Sequence, residues 1–316
     1  MPTAHPDVRV ETDVPLGPLT WYGVGGCAKV LAHPRSEAAL ARLVRDGHER
    51  GQRLYVLGAG ANLLVRDCGV DGVVIRLDEP AFAQLHIAGG LATVGAGYDL
   101  FKLVRELAKA GLAGLETVAG IPASVGGAVR MNAGGAFGEI GACVDRLRVM
   151  DERGAVRTLT RDDVSFSYRH SSIVEPLILD VTFRLAPAPP AGLIQRVKEI
   201  FEYKKNVQPM GAKSAGCAFK NPAAPEPPGS TAPCPLPPVH CPLPPARISA
   251  GKLIDQAGLK SFRIGGAAVS DVHGNFIHVV DKSAKADDVL AVIEHVQQVV
   301  RDRFGVTLER EVVVWP

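Results

Sequence analysis

Cys217 lies in SAGCAFKNP (214–222), among small residues in a turn-like stretch. Two chemistries are open to it. A free cysteine is most often a small buried hydrophobe. A thiol facing a substrate is instead a proton donor, with an ordinary pKa of about 8.5 that leaves it mostly protonated at neutral pH. The local sequence leaves both open.

Two glycine-rich stretches offer chemistry of another kind. VLGAGANLLV (56–65) reads as a strand, a tight turn and an apolar run. Gly58 and Gly60 let main-chain N–H groups approach a pyrophosphate, and Asn62 adds an amide donor. A doubly wound dinucleotide fold would need a third glycine where Leu63 stands and a helix after it, and no Gly-Lys-Ser/Thr follows to make a P-loop. A plain tight turn accounts for this stretch about as well. In AGIPASVGGAVRMNAGG (119–135), a proline fixes one turn, Gly126 and Gly127 permit backbone that side chains would block, and Asn132 offers an amide. Two such loops fit a long bipartite ligand, such as a dinucleotide held by main chain.

The elements that must position these residues are legible in outline. Short β-branched segments at 54–57, 72–77, 92–95, 147–150 and 178–185 read as strands. One-faced helices are expected at 36–51 and 99–111, the second with Asp99 as cap and Gly111 as stop. Further helices are expected at 191–205 and 286–303, with a closing strand at 311–315. APAPPA (186–191) reads as a linker and predicts a domain boundary. Residues 222–245 stand apart: eleven of these 24 are proline, which reads as an extended polyproline excursion inserted at 222–247. Cys234, His240 and Cys241 within it fall one ligand short of a structural zinc site, so no metal is expected.

Bulk properties narrow the class. The 316 residues exceed what one hydrophobic core usually supports. A net charge of +2, with no Lys/Arg run longer than two, gives no nucleic-acid footprint. The opening residues lack the apolar core of a secretory leader, and no apolar run reaches the roughly 18 residues of a membrane span. Six scattered cysteines fit a reducing compartment, so a cytoplasmic protein is expected.

A resemblance sharpens these readings. GVGGCA (23–28), VLGAGANLLV (56–65), GLETVAGIPASVGGAVRMNAGG (114–135), SYRHS (167–171), QPMGAKSAGCAFKNP (208–222), AGKLIDQAGLKSFRIGGAAVSDVHGNF (250–276) and GVTLEREV (305–312) occur in that order. Together they resemble the UDP-N-acetylenolpyruvoylglucosamine reductase (MurB) family over nearly the whole chain. The resemblance implies an α+β protein with a bipartite FAD-binding domain of the vanillyl-alcohol-oxidase type, then a smaller α/β substrate domain. The halves are placed at 1–77 and 78–190 and the substrate domain at 191–316.

The implied activity is reduction of UDP-N-acetylglucosamine enolpyruvate by NADPH through non-covalent FAD, in peptidoglycan precursor synthesis, by a monomer. The alternative is another FAD oxidoreductase of this fold, oxidising an alcohol with oxygen. Cofactor contacts are expected from Gly58, Ala59, Gly60, Ala61, Asn62, Gly120, Ile121, Gly126 and Gly127. Arg169 matches the family's active-site arginine, and a guanidinium suits an enolate carboxylate. Glu311 matches the catalytic glutamate, with Glu309 as its neighbouring rival. Cys217 stands where the family usually has serine, as proton donor to the α-carbon. Because a thiol is far more acidic than a hydroxyl, it is expected to serve at least as well, with oxidation as its liability. Asn221 matches a substrate-contacting amide, and Lys205, beside Lys204, lies about where the family places a cation for the nucleotide diphosphate.

Overall fold

The computed structural model describes residues 7–224 and 247–316. The prolines between them, with Cys234, His240 and Cys241, lie outside the described residues. The first lobe is a four-stranded sheet in the order Val8–Pro15, Cys27–Pro34, Val70–Arg76, Leu54–Leu57. Its first pair is antiparallel and the other two are parallel. Parallel strands are covered on both faces and so read as unbroken apolar runs. Here Val73 and Ile75 enter one core while Val74 enters another on the opposite face. Helix α1 (Glu37–Glu49) is capped by Ser36, whose hydroxyl accepts from Ala39 N, and buries Leu40, Leu43 and Val44 in the first of these cores.

The second lobe is a five-stranded antiparallel sheet in the order Val156–Thr160, Val144–Met150, Leu177–Arg184, Leu91–Gly95, Leu85–Ala88. It carries α2 (Leu100–Lys109), capped by Asp99, and the short α3 (Val125–Arg130), capped by Ser124. Helix α4 (Pro190–Val207), which follows the APAPPA stretch, packs back on α2. The Phe101 and Phe201 rings meet in a tilted contact, 5.9 Å between centres, and Ile200 is buried in the second lobe's core.

The last segment has its own core. Helices α5 (Ala250–Gln256) and α6 (Ala286–Phe304) pack around a small sheet of Arg263–Ile264, Ala267–Val269 and Ile277–Val279. Gly305 ends α6 in the left-handed conformation, at φ 67°. Several contacts return this domain to the first lobe, and Tyr22 and Leu64 of that lobe pack into its core. Asp67 accepts from Ala286 N and Asp287 N at the start of α6, both at 3.0 Å. The terminal strand, Val313–Trp315, pairs in parallel with Leu63–Val65. That pairing explains why an apolar run, not a helix, follows the first glycine loop. It also starts the closing strand two residues later than expected. No helix among the described residues is long and apolar enough to cross a membrane.

Candidate active site

Between the two lobes lies a cleft of about 250 Å³. Gly58 and Ala59 line one wall, Gly126 and Gly127 the other, with Ser124 beside them. A Cβ on Gly58 would stand 2.4 Å from the Ser124 hydroxyl, so only glycine lets the two loops come this close. Arg76, Asp78, Asp99 and Arg130 also line the cleft. Arg130 is fixed by donating to the carbonyls of Ile173 at 2.7 Å and Glu175 at 2.5 Å. Narrow main-chain walls with arginine at hand fit the phosphate-bearing part of FAD.

Gly60, Ala61, Asn62, Gly120 and Ile121 do not line this cleft. The side chain of Asn62 donates to the Glu311 carbonyl at 3.0 Å, and its own carbonyl accepts from Val313 N at 3.0 Å. Asn62 is thus tied to the C-terminal segment. Asn132 is fully buried, holding Gly141 N, Glu139 and the Ser167 carbonyl.

A second centre gathers three segments. Arg169 donates through Nε to the Glu311 carboxylate at 2.5 Å, with both side chains largely buried. Glu311 N donates to the Ala218 carbonyl at 2.8 Å, and Phe219 bridges Arg310. This places the residue after Cys217 directly against Glu311. Cys217 is itself bridged to Phe276. The candidate glutamates are separated by burial. Glu309 is 72% exposed and pairs with Lys220 at 2.6 Å, whereas Glu311 is 14% exposed and faces Arg169.

The electrostatics of this centre follow from its dryness. Burial works against the Arg169 charge, but Glu311 and Tyr168 outweigh it and hold the guanidinium above its ordinary value. Burial pushes the Glu311 carboxyl above its ordinary range, against the pull of Arg169 and Lys220. Burial and the Glu311 charge push the Cys217 thiol up to about 12, opposed by Arg169. The acidity expected from an unperturbed thiol is therefore absent, because these surroundings disfavour the thiolate. The same effect protects the sulfur, since oxidation proceeds through the thiolate. Arg169 has φ 55°, a left-handed backbone unusual for a side chain of its size, and its Nη1 is buried without a partner.

The flanking residues fall as follows. Asn221 Oδ1 accepts from Ala250 N at 2.9 Å, and Asn221 N donates to the Tyr168 hydroxyl at 3.2 Å. Lys205 is exposed on α4. Lys204 is buried and donates to the Ala119 carbonyl at 2.6 Å, with its stem against Gly120. Burial and the Arg169 charge push its ammonium down to about 8. A helical pattern that makes Ile200 a buried position also turns Lys204, four residues on, inward. That spacing was the available signal for Lys204. Nothing in the sequence marked Arg76, Asp78 or Arg130.

The sequence profile of the UDP-N-acetylenolpyruvoylglucosamine reductase C-terminal domain matches residues 208–315, and that of an FAD binding domain matches residues 28–160. UDP-N-acetylenolpyruvoylglucosamine reductase of Bacillus subtilis is 35% identical over 309 residues, covering 97% of this chain and 94% of its own. The chain belongs to this family. The Syntrophobacter fumaroxidans enzyme of the same name is 39% identical over 319 residues, covering 97% of this chain and 84% of its own. The crystal structure of the Thermus caldophilus enzyme (MurB) superposes with a TM-score of 0.77 at 38% identity, covering 98% of this chain and all of that one. The bipartite FAD fold expected from the sequence is thus the fold of the family.

Proposed function

We propose that this chain reduces UDP-N-acetylglucosamine enolpyruvate to UDP-N-acetylmuramate with NADPH. The observation that carries this reading is the meeting of Arg169, Cys217 and Glu311 at one buried point. The chemistry that FAD would supply between Gly58, Ala59, Gly126 and Gly127 is hydride relay, from NADPH to the β-carbon of the enol ether. Negative charge then develops on the substrate's α-carbon and spreads into its carboxylate. Glu311 holds the Nε edge of Arg169 and leaves the unpartnered Nη1 as a buried donor for that carboxylate. Arg169 keeps its charge throughout, so stabilisation needs no proton movement. Cys217 keeps its proton across the working pH range and delivers it to the α-carbon as a general acid. Lys204, on the buried side of α4, supplies the cation for the substrate's diphosphate in place of Lys205, and Asn221, held against Tyr168 beside Arg169, supplies an amide to the substrate. Gly58, Ala59, Gly126 and Gly127 hold FAD by main chain.

Absorbance tests the whole. The purified protein should be yellow, bleach with NADPH under anaerobic conditions, and regain colour on adding the enolpyruvyl substrate. Acid precipitation should release the flavin to the supernatant. Oxygen uptake with alcohols, and no recovery with the enolpyruvyl substrate, would overturn the reading in favour of an alcohol oxidase.

A further inference from the structure

The Arg247 guanidinium lies 3.9 Å from the centre of the Tyr168 ring, on the side of the C-terminal domain. It also donates through Nη1 to the Asn221 carbonyl at 2.9 Å. Asn221 N in turn donates to the Tyr168 hydroxyl at 3.2 Å. The ring is therefore held on its face and at its hydroxyl by the domain opposite to its own. Backbone fixes the holder: Arg247 bridges Ala223, and Ile248 N donates to the Pro222 carbonyl at 3.0 Å.

The next residue after Tyr168 is Arg169, whose guanidinium lies 5.1 Å from the same ring. Its left-handed backbone is a conformation that persists only when its surroundings impose it. We propose that Arg247 is a positioning residue for the reduction. By clamping Tyr168 across the domain interface, it holds the backbone of Arg169 in the conformation that sends Nη1 into the site. A planar guanidinium lies on the ring while its Nη1 reaches the Asn221 carbonyl, and the compact ammonium of lysine does not match that paired geometry. The inference rests on the reduction proposed above.

Stopped-flow measurements on flavin-loaded Arg247→Ala and Arg247→Lys test it. Arg247 is exposed, so flavin content and melting temperature should match the parent protein. Bleaching by NADPH should stay within about twofold, while recovery at saturating enolpyruvyl substrate should slow about tenfold in both variants, with KM nearly unchanged, as for a misplaced group. Unchanged recovery in Arg247→Ala overturns the clamp. So does a raised KM in Arg247→Ala that Arg247→Lys restores, since that marks a direct contact with a substrate anion. Failure of the proposed function looks different, because the parent protein itself would not recover colour. The clamp keeps a substrate-free readout: Arg247 side-chain proton resonances should be ring-current shifted and lose that shift in Tyr168→Leu. Resonances that do not move would also overturn it.

Discussion

The proposed cofactor cleft and the proposed reduction centre of this protein are built in opposite ways. The cleft presents main chain from two loops, and its defining residues act by having no side chain, as Gly58 does against Ser124. The proposed reduction centre presents side chains from three segments far apart, with Arg169 and Glu311 separated by 142 positions in the chain. A main-chain wall tolerates change in any residue that keeps the backbone path. A side-chain centre loses its function with one group, because each carries a separate charge or proton.

The sharpest test of that contrast is Glu311→Gln beside Glu309→Gln. The first should lower recovery of flavin colour by enolpyruvyl substrate by on the order of a hundredfold to a thousandfold, the scale for losing a preorganised charge. The second should change it less than twofold, since Glu309 is exposed on Lys220. Equal losses would remove the distinction drawn from burial.

Cys217→Ala should slow the same recovery by about a hundredfold, the usual scale for a general acid, while bleaching by NADPH stays near normal. Cys217→Ser should keep much of the activity. With its thiol held up to about 12, the parent protein should also survive peroxide better than a free thiol would. Full-speed recovery in the alanine variant would make Cys217 a small buried residue and nothing more.

On the other side of the comparison, Gly58→Val should weaken flavin retention by about tenfold or more while sparing the fold's core, because its Cβ would drive the loops apart. Flavin absorbance per protein after gel filtration reads this directly. Replacing Leu54, a partly buried residue of the same strand that does not line the cleft, with Ile should leave flavin content unchanged.

Lys204 gives a smaller, pH-dependent signal. Its ammonium is pushed down to about 8 from an ordinary 10.5, so between those values the unfolded chain holds a proton the folded chain has lost. Stability should therefore rise with pH across that window relative to Lys204→Met, and the cost of the buried charge should be fully present below it. Melting temperatures from pH 7 to 10 measure the difference, and parallel curves for the two proteins would contradict it. The smallest effect is expected from replacing residues 225–246 with a short Gly/Ser linker. Ala223 and Arg247 already pair, so flavin content and melting temperature should change little. Loss of flavin there would make the proline-rich stretch part of the fold.

Legibility followed the same division. The helices α1 and α2 were readable, the second with its Asp99 cap, because apolar spacing, a capping side chain and a closing glycine are local signals; the Ser36 cap of α1 emerged only in the structure. The strands of the first lobe before residue 54 were not, since Val8–Pro15 is exposed along most of its length and carries little apolar pattern. Asn62 looked like a phosphate donor in the sequence, yet its amide holds the Glu311 backbone. Its donor is satisfied by a strand from the other end of the chain, which no local pattern announces.

By itself the sequence determined the glycine loops, the main helices and the ordered motifs that mark the family, because backbone freedom and side-chain periodicity are properties of adjacent residues. Only the tertiary structure buried Glu311 against Arg169 while leaving Glu309 exposed, turned Lys204 rather than Lys205 inward, and set the surroundings of the Cys217 thiol. Those outcomes depend on burial and on charges brought from distant segments, and a charge acts through the dielectric around it rather than through its place in the chain.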